Sequence, residues 1–485
     1  MPEWTVSQLR EATQGTLLVG RGSEPVAGIG IDSRRLQPRQ AFVAIRGPRF
    51  DGHAFLKAAI DRGASCVIVS DRPASVPTVP TILVPDTTNA LGDLAAFHRR
   101  RFSIPVIAVT GSCGKTTTKE LIAHLLGGTA SVLKTVGTEN NHIGVPLTLL
   151  RLMPTHQYAV VELGSNHPGE IAALARIAQP TVAVITNVGP AHLEFFGTLS
   201  AIRQEKLSLL ALLDPQGAAI IPGDQLEVLL EAKSRLRQGM TPPPARAAAG
   251  GTFEERWPSG PRAGGGVTLL TFGSSDQCGI HLEETRREAR GVSLRLHGVP
   301  GTFTVPLLGS HNVENALAAL ACVSVLGIPL DSVRDRLRQV ATVTMRSEVV
   351  RCNGFTVIND CYNANPLSFA RALELLSELE VTRRVVIAGD MLELGSFAVR
   401  AHQTIGQLAA QSGTDLLLTV GRLAHEMARG ALAARDLSAE TYETVHDLLA
   451  VLPSRLRKGD GILVKASRNV HLEQVTTFLQ GIAHA

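Results

Sequence analysis

The chain has 485 residues, 44% of them hydrophobic and 19% charged, enough apolar material for about three cored domains and too much for a disordered or fibrous protein. The formal net charge is only +4 and no long basic tract occurs, so neither nucleic acid nor a membrane surface is an expected partner. The basic residues are lopsided, with 39 Arg against 8 Lys.

Residues 1 to about 103 mix short strand-like runs (GIGID, AFVAI, CVIVS, TILVP) with the helical runs HAFLKAAIDRG and NALGDLAAFHRRR, and read as a small α/β domain. From 104 to 343, continuous apolar runs alternate with helices: IPVIAV, YAVVEL, TVAVIT and GAAIIP. Such runs are the mark of a parallel sheet covered on both faces. From 344 to 485 a third, Rossmann-like α/β unit follows, with RRVVIAG, DLLLTV and GILVKA as strands. Residues 239–266 are rich in Pro, Gly and Ala and read as a flexible insertion. The six cysteines show no Cys-x-x-Cys pair, no secretory leader is evident at the start, and no apolar run approaches 18 residues. A cytoplasmic monomer is the expectation.

The sharpest local signal is the run from IPVIAV into Thr110-Gly111-Ser112-Cys113-Gly114-Lys115-Thr116-Thr117, with the helical KELIAHLLGG after it. A strand, a glycine turn, a Gly-Lys-Thr and a helix let backbone amides and Lys115 close around phosphates, while Thr116 offers a hydroxyl to Mg²⁺. The turn is not the strict GxxxxGK[ST], since residue 109 is Val. Glu162 ends YAVVEL, and His192 follows TVAVIT; ligands of open α/β sheets gather at such strand ends, and a carboxylate there suits Mg²⁺.

The loop resembles the TGTxGKTT of the Mur ligase family, the ATP-dependent amide-forming enzymes of peptidoglycan precursor synthesis. Asn140-Asn141-His142-Ile143-Gly144, the segment NVGPAHLEFFGT, and Gly309-Ser310-His311-Asn312-Val313-Glu314-Asn315 are similar to further motifs of that family. Asp360-Cys361-Tyr362-Asn363-Ala364-Asn365-Pro366, GDMLELG at 389–395, and Lys465-Ala466-Ser467-Arg468 resemble the branch that joins D-alanyl-D-alanine to UDP-N-acetylmuramoyl (UDP-MurNAc) tripeptide. Three departures stand out: Ala466 replaces a Gly, Thr138 stands where Asn is usual, and Met345 takes the Gly position of the linker motif around Arg346.

The resemblance implies ATP, two Mg²⁺ ions, an acyl-phosphate intermediate, and a uridine-nucleotide domain, an ATP domain and a closing domain in chain order. It assigns Thr110 to Thr117, Asn312, Asn315, Arg346 and Asp360 to ATP, and Thr116, Glu162, His192 and a carbamylated Lys206 to the metals. Lys115, His192 and Lys206 would carry the chemistry. Ser33 and Arg34 (of Asp32-Ser33-Arg34), Asn140, Asn141, Tyr362, Asn363, Asn365, Lys465 and Ser467 would meet the substrates. Arginine stays protonated and forms no carbamate, so a lysine at 206 in a lysine-poor chain carries weight. Another Mur-type ligase or folylpolyglutamate synthase is the near alternative, against which YNANP and GDMLELG argue. A phosphate-loop kinase or nucleotide sensor is the alternative of another class.

Overall fold

The computed structural model describes residues 3–238, 266–288 and 291–481; the expected insertion lies outside them up to residue 265. The first unit holds a five-stranded sheet in the order Thr16–Val19, Thr81–Leu83, Cys66–Val69, Gln40–Val43, Gly28–Gly30, parallel except for its first pair. The helix Thr87–Arg99, capped by the Asp86 carboxylate, is its joint to the next unit. Leu91 and Leu94 pack into the first core, which also reaches Ile143, Leu147 and Leu150 of the middle unit. At the end of that helix, buried Arg99 donates to the carbonyls of Ala178, Phe102, Ile104 and Gln179. This ties the joint to the chain entering the phosphate-loop strand.

The middle sheet has nine strands. Its parallel part runs Val132–Lys134, Tyr158–Glu162, Val106–Thr110, Val182–Ile185, Ala218–Pro222, Thr268–Gly273, which puts the phosphate-loop strand inside the sheet. Ile280–Glu288 continues it, and then Gly291–Leu296 and Phe303–Val305 turn it antiparallel, an extension the apolar runs did not announce. Ile280–Glu288 is solvated from Glu283 onward and carries Glu and Arg, so it lacks the continuous apolar signature of a covered strand. The helix Lys115–Leu126 lies against Ser310–Val325, where Ala316, Ala319 and Leu320 meet Leu121, Ile122 and Leu125 in one core. Each Leu or Ile fully buried there stabilises the fold by about 2 kcal/mol.

The third unit is a six-stranded sheet in the order Glu348–Cys352, Phe355–Asn359, Asp460–Lys465, Arg383–Gly389, Leu416–Val420, Ser438–Tyr442. Only its first strand is antiparallel. Among the described residues no helix is long and apolar enough to cross a membrane. The six cysteines are all free.

Candidate active site at the junction of two domains

The strand Val106–Thr110 delivers its chain to the carboxyl edge of the sheet, where the loop 111–114 turns into the helix Lys115–Leu126. Gly111 has φ +149°, and a Cβ there would stand 2.1 Å from Thr186 Oγ1. Gly114 has φ +80°, and a Cβ there would stand 2.1 Å from Asn315 Oδ1. Only glycine fits both places. The neighbouring strand end braces the loop: Ser112 Oγ donates to the Gly189 carbonyl (2.8 Å), Cys113 N–H donates to Asn187 Oδ1 (3.0 Å), and Asn187 Nδ2 donates to the Cys113 carbonyl (3.1 Å). Lys115 Nζ folds back to the Gly111 carbonyl at 2.8 Å, and burial lowers its pKa.

Glu162 is buried beside the loop. Its carboxylate accepts from Thr116 Oγ1 at 2.8 Å and from Asn140 Nδ2 at 2.7 Å. The segment leading to Asn140 is held by Lys119, which is fully buried and donates to the carbonyls of Thr135 (2.8 Å) and Gly137 (2.9 Å) while pairing with Glu120. Asn141 Oδ1 accepts from the Ile143 and Gly144 amides at the entry to the helix Gly144–Leu149. The adjoining Thr116 hydroxyl and Glu162 carboxylate are hard oxygen donors of the kind Mg²⁺ takes, with phosphate and water completing its shell. Among the described residues no cluster of three or more His, Cys, Asp or Glu forms a dedicated metal cage. The Thr116 and Glu162 oxygens fit a cation shared with a nucleotide.

Lys206 rides on the helix Leu199–Leu207, capped by Thr198, and is buried with Nζ 2.7 Å from Ser165 Oγ. Burial, aided by the Lys115 charge and opposed by Glu205 and Glu170, pushes its pKa down to about 7. Glu205 grips the amides of Gly169 and Ile171 (both 2.7 Å), and Glu170 those of Asn166 and His167, which fixes the loop that carries Ser165. His192 Nδ1 lies 2.5 Å from Glu393 Oε2 of the third unit. That hydrogen bond lowers the Glu393 pKa.

The third unit forms the opposite wall. Arg346 lies over the Tyr362 ring at 4.0 Å, and the Tyr362 hydroxyl donates to Thr138 Oγ1 at 2.5 Å. The turn around Arg346 places Met345 and Ser347 at φ +60° and +49°, so Met345 holds the left-handed conformation that glycine adopts freely. Lys465 Nζ donates to Asp360 Oδ2 (2.5 Å) and to the Asn363 carbonyl (2.9 Å). Asn365 and Ser368 form a capping box on the helix Pro366–Glu378, and the Asn365 amide lies 3.5 Å from Cys113 Sγ. Asn315 links Thr118 Oγ1 to Asn312.

These groups enclose a cavity of about 540 Å³. Ser112, Cys113, Gly114, Lys115, Thr117, Asn140, Asn141, Glu162, His192, Asn312 and Asn315 line it from the middle unit, and Arg346, Asp360, Tyr362, Asn363, Asn365 and Lys465 from the third. Thr110, Gly111, Thr116 and Lys206 lie beneath its surface. Ser33 and Arg34 lie outside the cavity lining, in the first unit; Arg34 is exposed and pairs with Asp32, which pushes the Asp32 carboxyl down to about 2. Ser467 is buried, accepting from the Leu392 amide at 2.9 Å, and so anchors the turn 390–395 without facing the cavity.

Sequence reasoning passed over Lys119, Ser165, Glu205, His311 and Glu393. Lysine scarcity was a usable signal for Lys119. Glu393 lay inside the motif GDMLELG, but its partner, 201 residues away, left no local trace.

Comparison with known proteins agrees along the chain. The description "Mur ligase family, catalytic domain" matches residues 25–99, "Mur ligase middle domain" 109–241, and "Mur ligase, glutamate ligase domain" 345–468. The UDP-N-acetylmuramoyl-tripeptide–D-alanyl-D-alanine ligase of Bacillus subtilis is 34% identical over 479 residues, covering 97% of both chains. A crystal structure of MurF from Acinetobacter baumannii matches with a TM-score of 0.86 at 31% identity, covering 99% of this chain and 100% of that one. The MurF ligase from Thermotoga maritima in complex with ADP matches with a TM-score of 0.79 at 27% identity, covering 93% and 97%. The chain belongs to the Mur ligase family.

Proposed function

We propose that this chain is an ATP-dependent ligase that joins D-alanyl-D-alanine to UDP-MurNAc-tripeptide, giving the pentapeptide, ADP and phosphate. The observation that carries the reading is the junction cavity, where the phosphate loop and Glu162, with Lys206 buried beneath them, face Arg346, Asp360 and Lys465. Full-length similarity to D-alanyl-D-alanine ligases supports the substrates. In this reading residues 1–103 take the uridine nucleotide through Ser33 and Arg34, residues 104–343 take ATP, and residues 344–485 close over it, in a cytoplasmic monomer.

The terminal carboxylate of the tripeptide attacks the γ-phosphorus, and ADP leaves. The amine of the dipeptide then attacks the acyl carbon, and phosphate leaves from the tetrahedral intermediate. Both steps gather negative charge, so positioning and fixed cations supply most of the acceleration. The loop amides of residues 111–117 and Lys115 hold the phosphates. Thr116 and Glu162 would hold one Mg²⁺, and His192 with Lys206 would serve a second. Magnesium supplies charge neutralisation between the acceptor carboxylate and the γ-phosphate. Burial draws the Lys206 amine down to about 7, which favours the neutral amine, the form that adds carbon dioxide to become a carbamate. Asn312 and Asn315 face the nucleotide base; Asn140, Asn141, Tyr362, Asn363, Asn365, Lys465 and Ser467 position or support the peptide substrates.

The test is phosphate release from ATP with UDP-MurNAc-tripeptide, with and without D-alanyl-D-alanine, beside a panel of single amino acids. Release that requires the dipeptide, with the pentapeptide as product, is expected. Release with a single amino acid and none with the dipeptide overturns the branch, and a phosphorylated product without free phosphate overturns the ligase reading itself.

A further inference from the structure

We propose that Glu393 is a positioning residue for His192: its carboxylate takes the Nδ1 proton across the domain junction and leaves the Nε2 lone pair to the cavity. The proposal rests on the ligase reading and adds to it a residue that belongs to the opposite domain. A carboxylate only accepts, so the ring nitrogen 2.5 Å from Glu393 Oε2 is the donor. A ligating imidazole needs its other nitrogen lone pair free, and a hydrogen bond of this kind selects that tautomer.

Three features separate this pair from a casual surface contact. Both partners are non-glycine residues in the left-handed region, His192 at φ +53° and Glu393 at φ +62°, a cost that persists only where surrounding contacts fix the backbone. The Glu393 carbonyl also accepts the Glu194 amide at 3.1 Å, so one residue grips the chain on both sides of Leu193. Gly395 permits the approach, since a Cβ there would stand 3.1 Å from the Glu194 Cα.

Glu393 is itself held in place by its own domain. The Met391 amide donates to His402 Nε2 (2.9 Å), the Leu392 amide to Ser467 Oγ (2.9 Å), and the Ser467 amide to the Asp390 carbonyl (3.0 Å). The turn is thus built without help from His192, and it reaches the ring only when the third unit stands against the middle one. Closure and completion of the His192 site become one event.

The experiment uses the full-length chain with ADP, ¹⁵N-labelled at histidine, the His192 resonances assigned by loss in His192→Gln. The ring of the parent is expected as the Nδ1–H tautomer, and that of Glu393→Ala shifted toward Nε2–H. In phosphate release, the Mg²⁺ concentration giving half activity is expected to rise about tenfold or more in Glu393→Ala, the scale of losing an outer-shell partner. Glu393→Gln, whose amide oxygen still accepts, is expected to stay within about threefold of the parent. A parent ring in the Nε2–H form, a ring unchanged in Glu393→Ala, or a Gln variant as impaired as the Ala one overturns the proposal. A parent that releases no dipeptide-dependent phosphate overturns the ligase reading instead, and the ring measurement still decides the role of Glu393.

Discussion

The Tyr362 hydroxyl donates to Thr138 Oγ1 at 2.5 Å, so the third unit touches the same loop that brings Asn140 to Glu162. Tyr362→Phe keeps the ring under Arg346 and removes only this bond. A neutral hydrogen bond contributes about 1 kcal/mol, which is about fivefold in kcat/KM. Thr138→Asn keeps an acceptor and is expected to stay near the parent. Steady-state phosphate release compares the two, and a Tyr362→Phe enzyme indistinguishable from the parent removes the bond from the closure.

Lys206 sits where neither alanine nor arginine can do its work: alanine has no amine, and arginine stays charged in a site that already lowers the pKa of an amine. Both variants are expected to lose at least about a hundredfold in turnover, the scale of removing one charge-stabilising group. Turnover of Lys206→Ala within a few-fold of the parent would contradict the assignment.

His311 is held down to about 4, mainly by burial, and its Nδ1 has no hydrogen-bond partner. Between its ordinary value of 6.5 and about 4, the unfolded chain binds a proton that the folded chain refuses. Stability is therefore lost as pH falls through that window. His311→Gln has no such proton, so its melting temperature should fall less than the parent's between pH 7 and pH 5. Parallel decline of the two proteins would show that the ring titrates normally.

Gly114→Ala places a methyl group where Asn315 Oδ1 now stands and forces alanine to φ +80°. The left-handed backbone alone costs about 1–2 kcal/mol, before any displacement of Asn315. Nucleotide affinity, measured by titration calorimetry with ADP, is expected to fall at least about tenfold. Unchanged affinity would mean that the loop relaxes without cost.

The buried strands and the phosphate loop were legible because both are local. A continuous apolar run announces a covered strand, and Gly-Lys-Thr after such a run announces an anion-binding turn. The helix start at Pro366 is equally local, its Asn365 cap lying next to it in sequence. The antiparallel extension of the middle sheet was not, since a solvated strand such as Ile280–Glu288 dilutes its apolar signal with Glu and Arg.

The lysine shortage gave weight to Lys206, and Lys115, Lys119 and Lys465 belong with it: all four are buried or half-buried, each with named polar partners. What the sequence determined by itself, then, is which chemistry the chain carries and on which strand ends it sits. Tertiary structure alone decided which distant groups meet: Tyr362 with Thr138 and Glu393 with His192 across the junction, and Asn315 with the methyl-free space of Gly114 inside the middle unit. Those pairings join residues roughly two hundred positions apart, and no local pattern encodes them. They exist only because separately cored parts of the chain pack around one cavity.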